Sequence, residues 1–87
     1  MYRPLRSWFK RQRKIGRDGY VLVWVPEHPK NFGGGWYYEH RLVYEKKLGR
    51  ILDRWEEVHH INMIKNDNSP VNLFLCTRKE HNRAHRT

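Results

Sequence analysis

The stretch "EEVHHINMIKNDNSPVNLFLCTRKEHNRAHR", residues 56–86, decides how this chain is read. Its opening "EEVHHI" reads as a short strand, "INMIKNDNSP" as a polar loop, and Leu73 to Cys76 as a second strand. Thr77 and Glu80 have the Thr-x-x-Glu spacing of a capping box, which starts a helix at about Arg78. The order is strand, loop, strand, helix.

Neighbouring side chains on a strand point to opposite faces, so His59 and His60 diverge. His81 and His85 are four apart on the expected helix, one turn apart on one face, a separation that lets two imidazoles grip one ion. On an exposed basic helix such a pair is more often solvent-facing than ligating. A compact strand, loop, strand and helix unit, however, would bring His59 within reach of the same ion. Three imidazoles and an open position favour Zn²⁺, with Mn²⁺ or Mg²⁺ also conceivable in use.

The chain has 87 residues, 38% of them hydrophobic and 14% aromatic, which allows one domain with a modest core. A core this thin usually needs a staple. The single cysteine, Cys76, excludes an internal disulfide and reads as a small buried apolar residue, so a metal becomes attractive. A net charge of +9 and a pI near 10.1 point to a polyanionic partner, most often nucleic acid. No apolar run approaches transmembrane length, and no apolar stretch follows the N-terminal cations, so neither a membrane partner nor a signal peptide is expected. The expected location is the cytoplasm.

Residues 1–18 read as a basic arm, with Arg11, Arg13, Lys14 and Arg17 among its cations and Tyr2, Trp8 and Phe9 interleaved. Such an arm tracks phosphates and offers rings that stack or wedge. "YVLVWV", Tyr20 to Val25, reads as a strand ended by Pro26. "PEHPKNFGGG" is a loop, with His28 expected at the surface. A brief strand at Trp36 to Tyr38 leads into a helix from Glu39 to Leu48, with Lys46 and Lys47 in its last turn and Gly49 as its stop. Its broad apolar stripe predicts a helix that contacts more than one element.

With these residues in view, the 56–86 stretch resembles the HNH endonuclease motif. The upstream "GYVLVWVPEHP" and "GGGWYYEHRLVYEKKLGR" resemble the small phage and homing-type HNH subfamily. The match runs over residues 19–86: the double His, the Asn72-Leu73 pair and two further histidines occur in order. Asn72 lies twelve after His60, His81 nine after Asn72, and His85 four after His81. The resemblance implies an α+β domain over 19–87, with a ββα-metal unit over about 56–87 preceded by a strand and a helix.

It further implies roles. His59 resembles the metal ligand on the first strand, and His60 the general base that deprotonates the attacking water. Asn72 resembles the central Asn that orients the base and stabilises the loop. His81 resembles the final motif ligand, and His85 the extra helical ligand of three-His members; some members carry Asp at the His59 position and lack the last His. Imidazole titrates near pH ~6.5 when unperturbed and suits base catalysis, which typically supplies about 10²–10⁴ in rate. One divalent ion would offset charge on the transition state and the leaving 3′-oxygen. The expected substrate is double-stranded DNA in a bacterial or phage-infected cell, cut to a 5′-phosphate and a 3′-hydroxyl. A monomer with one site nicks one strand, and a double-strand break would need a homodimer or two successive events.

Two departures stand out: Met63 where the subfamily usually has Gly, and the bulky Trp55 just before the first strand. Paired Cys-x-x-Cys elements are also missing. Lys65, Arg78 and Arg83 are candidate phosphate contacts beside the site, and Arg41 and Arg50 either touch phosphate or are surface charge. His40 reads as a helix residue packed near the hairpin. Asp67 and Asn68 read as turn-fixing residues. Two other classes fit the composition: a nucleic-acid-binding module with a structural zinc, which has no need of His60, and a basic structural protein of a nucleoprotein particle, which leaves the His spacing unexplained.

Overall fold

A computed structural model describes residues 11–77. Two antiparallel sheets flank one helix, an α+β arrangement as expected. The first sheet joins β1 (Arg13–Ile15), β2 (Val21–Trp24) and β3 (Trp36–Tyr38) in that order. The second is the hairpin of β4 (Glu56–His60) and β5 (Leu73–Thr77), and α1 (Glu39–Leu48) lies between them in sequence. Residues 13–15 of the stretch expected as an arm form an edge strand of this sheet: Arg13 pairs with Val23 and Ile15 with Val21.

β2 forms because "VLVW" is β-branched and aromatic, and it alternates: Val21 and Val23 are buried while Trp24 is exposed. The chain returns to β3 through Gly35, at φ 92°. A Cβ there would stand 3.0 Å from Trp24 Nε1 and 3.1 Å from Pro26, so only glycine fits. At the other end of α1, Gly49 adopts φ 76° and its N–H donates to the Glu45 carbonyl at 2.8 Å. This left-handed cap ends the helix as its sequence position predicts.

The core has two parts, and α1 feeds both. Leu42 packs with Val23, Val25 and Tyr37, whereas Val43 and Tyr44 pack against Leu52, Val58 and Leu73. This double duty explains the broad apolar stripe of the helix. Between them stands a fully buried carboxylate, Glu45. It meets His28 Nε2 at 2.8 Å and accepts hydrogen bonds from the Tyr37 hydroxyl at 2.9 Å and the Leu52 N–H at 3.0 Å. Burial also pushes the Tyr37 hydroxyl pKa upward, so it stays a donor.

His28 is thus not the surface residue its Glu-His-Pro setting predicts: it is 5% exposed and stacks on Tyr37 at 3.9 Å. The loop folds back over α1 because a buried carboxylate must be hydrogen-bonded, and the imidazole supplies the contact. Arg41 is likewise internal scaffolding. It donates to the Tyr37 hydroxyl and to the carbonyls of Asp53 and Glu56, tying α1 to the start of β4. Arg50 grips the Glu56 carboxylate at 2.7 Å through both terminal nitrogens and holds its pKa down to about 2.

Candidate active site

β4 alternates strictly: Glu56, Val58 and His60 are buried, and Glu57 and His59 are half-buried on the other face. The two histidines diverge as strand geometry requires. His59 stacks on its cross-strand partner Phe74, ring centroids 5.2 Å apart. His60 lies among Tyr20 at 5.9 Å and His40 at 5.0 Å. Both nonetheless border one cleft of about 570 Å³, whose walls include Tyr20, His40, Arg54 and Lys65.

The loop after β4 is closed by Asn72. Its side-chain oxygen accepts from the Asn62 N–H at 3.1 Å, and its amide nitrogen donates to Asn62 Oδ1 at 2.9 Å and the Asp67 carbonyl at 2.8 Å. The Ile61 N–H donates to the Asn72 carbonyl at 2.8 Å. Asn72 therefore ties the loop together, whereas the side chain hydrogen-bonded to the His60 imidazole is Asn68, whose Oδ1 is 2.6 Å from Nε2. Asn68 in turn donates to Glu39 Oε1 at 2.8 Å. Asp67 fixes the turn as its type predicts, accepting from Asn62 and from the Ser69 N–H; Asn68 bridges to the helix instead.

Met63 adopts φ 66°, the left-handed conformation that glycine takes without cost. The Gly that the resemblance leads one to expect here has a backbone reason, and Met63 meets the same turn with strain. Its side chain is exposed and borders the cleft.

Of the expected phosphate contacts, Lys65 borders the cleft, donates to the Asp18 carbonyl at 2.5 Å and lies over the Tyr20 ring. Arg11 is engaged by Glu27 and Arg13 by Glu39, while Lys14 lies 4.1 Å over the Trp36 ring. Arg17 is exposed. His81, His85, Arg78 and Arg83 lie outside the described residues. The site roles of three residues escaped the sequence reading: Arg54, Glu39, which reads only as a helix start, and Asn68, which reads only as a turn residue. Arg54 is exposed at the cleft and makes no hydrogen bond or ion pair among the described residues. It could be found only by knowing that the turn before β4 forms the cleft wall.

His40 packs near the hairpin as expected. Its Nδ1 is buried and without a hydrogen-bond partner among the described residues. Burial, then the neighbouring His60 and Arg41, push its pKa down to about 3, so it is neutral at physiological pH.

Among the described residues, no three His, Cys, Asp or Glu side chains are close enough to hold a metal ion. His59 fits a ligand role in part: its half-buried imidazole borders the cleft on the face opposite His60.

The described residues thus form an α+β domain whose hairpin carries two diverging histidines over a cleft, with an Asn closing the intervening loop. The model of the HNH endonuclease family matches residues 37–83, more than half of the chain, from β3 past β5 and including His59, His60, Asn72 and His81. The chain belongs to the HNH endonuclease family. No curated protein and no solved structure matches it. Among the described residues, no helix is long and apolar enough to cross a membrane.

Proposed function

We propose that this chain is a metal-dependent DNA endonuclease in which His60 is the general base. One observation carries this reading: the His60 imidazole is buried at the cleft and, among the described residues, is anchored through a single ring nitrogen, Nε2. A base anchored on one nitrogen keeps the other to accept a proton from water attacking phosphorus. As that proton moves to His60, the water oxygen bonds to phosphorus, the bond to the 3′-oxygen breaks, and the 3′-oxygen takes up a proton from solvent. The products are a 5′-phosphate and a 3′-hydroxyl.

His59, with His81 and His85 from the expected helix, would hold one divalent ion. When bound, this ion supplies charge stabilisation to the phosphate and to the leaving oxygen. Arg54 and Lys65 flank the cleft and supply cations for the DNA backbone. Asn72 keeps the loop closed, so that Asn68 meets His60. The +9 charge supports a polyanionic substrate, and one site per chain supports nicking by a monomer.

Supercoiled plasmid incubated with Mg²⁺, Mn²⁺ or Zn²⁺ tests this directly. The expected product is the nicked circle. Plasmid left intact under all three metals would leave a nucleic-acid-binding module as the function.

A further inference from the structure

We infer that Glu39, acting through Asn68, selects the tautomer of His60 that carries its proton on Nε2 and leaves Nδ1 as the basic nitrogen. This rests on His60 being the general base. It gives Asn68, which already meets His60, a positioning role and adds Glu39 behind it.

Glu39 is the first residue of α1 and is buried. Arg13 reaches across from β1 and holds it: one terminal nitrogen lies 3.0 Å from Oε1 and 2.9 Å from Oε2. A carboxylate paired in this way only accepts hydrogen bonds. The Asn68 atom facing it at 2.8 Å must therefore be the amide nitrogen, and this fixes which way the amide lies. Its oxygen is then the atom 2.6 Å from His60 Nε2. An amide oxygen cannot donate, so Nε2 must bear the hydrogen. A neutral imidazole has one N–H, and the lone pair falls to Nδ1.

The reversed amide would set its oxygen against the Glu39 carboxylate, two acceptors in contact with no proton between them. It would also turn the NH₂ toward His60 and demand the opposite tautomer. The chain Arg13, Glu39, Asn68, His60 thus passes an orientation from an edge strand to the base. A simple structural tie between β1 and α1 would explain Arg13 and Glu39 but would leave the tautomer of His60 indifferent to them. Asn72 takes no part, because its amide is used up within the loop.

The test is a long-range proton–nitrogen NMR spectrum of the full chain with ¹⁵N-labelled histidine. It is recorded where His60 is neutral, with its signals assigned by their loss in His60→Ala. The wild type should show the Nε2–H form. Glu39→Ala and Asn68→Ala should each lower its share. The double variant Glu39→Gln with Asn68→Asp exchanges amide and carboxylate at constant shape, keeps an oxygen toward His60, and should restore the form. A wild-type His60 that is Nδ1–H or evenly mixed overturns the inference, as does a tautomer unmoved by the alanine variants. The wild-type spectrum and the isosteric double variant decide the matter even where an alanine variant does not fold. Undiminished cleavage by His60→Ala would sink the base and leave the tautomer result standing, so the two failures are distinguishable.

Discussion

The imidazoles of His40 and His60 lie 5.0 Å apart, one from α1 and one from β4, and His40 is 6% exposed. The burial of His40, reinforced by this neighbour, gives a pH dependence of stability. Burial first, and then His60, lower the His40 pKa to about 3, so the native state refuses a proton that the unfolded chain accepts below about pH 6.5. Stability should fall as pH drops from 6.5 toward 3. His40→Phe should flatten that decline by up to about 1.4 kcal/mol per pH unit in urea unfolding. The window from 6.5 to 4.5 isolates the effect. The Glu56 carboxyl, held down to about 2 by Arg50, stabilises above its unfolded value near 4.5 and loses that contribution only as pH falls toward 2. Equal slopes for variant and wild type between 6.5 and 4.5 would count against this role of His40.

Glu45 concentrates the polar interactions of the interior. Glu45→Ala leaves His28, the Tyr37 hydroxyl and the Leu52 N–H without their acceptor. Breaking one side of such a buried pair costs about 3–5 kcal/mol, a large share of the roughly 5–15 kcal/mol of a small domain. Urea unfolding should register a loss of that order. A loss below about 1 kcal/mol would show the network to be dispensable.

Arg54→Ala should weaken DNA binding without preference for sequence. If it holds one phosphate, the plot of log affinity against log salt becomes shallower by about 0.9. Anisotropy titrations of a labelled duplex at several salt concentrations measure this. An unchanged slope would mean that Arg54 stays in solvent.

Met63→Gly should stabilise the domain. A non-glycine residue in the left-handed region costs about 1–2 kcal/mol, and the greater freedom of glycine in the unfolded chain offsets roughly half. The net gain of about 0.5–1 kcal/mol corresponds to a few degrees in Tm. A lower Tm would mean that the exposed Met63 side chain contributes more than the backbone strain removes.

The elements were legible where local chemistry dominates. β2 followed from "VLVW", the end of α1 from Gly49, and β4 and β5 from the short "EEVHHI" segment and the apolar "LFLC" run either side of a polar loop. The divergence of His59 and His60 followed from strand geometry alone. What stayed hidden depended on long-range partners. His28 reads as exposed until Glu45, seventeen residues away, is known to be buried beneath it. Asn68 reads as a turn residue because its partners, Glu39 and His60, come from a helix and a strand that only folding brings together. Arg13 reads as a phosphate contact for the same reason: its charge is visible in the sequence, its carboxylate partner twenty-six residues on is not. The expected helix with His81 and His85 lies outside the described residues.

The division of labour between the adjacent histidines is the centre of this account, and one paired measurement tests it. Metal affinity and plasmid nicking are measured for His59→Ala and His60→Ala beside the wild type. His59→Ala should weaken metal binding. His60→Ala should bind metal as the wild type does and lose cleavage by about 10²–10⁴, the usual worth of a general base. Intact cleavage by His60→Ala, or loss of the metal on replacing His60 but not His59, would contradict it.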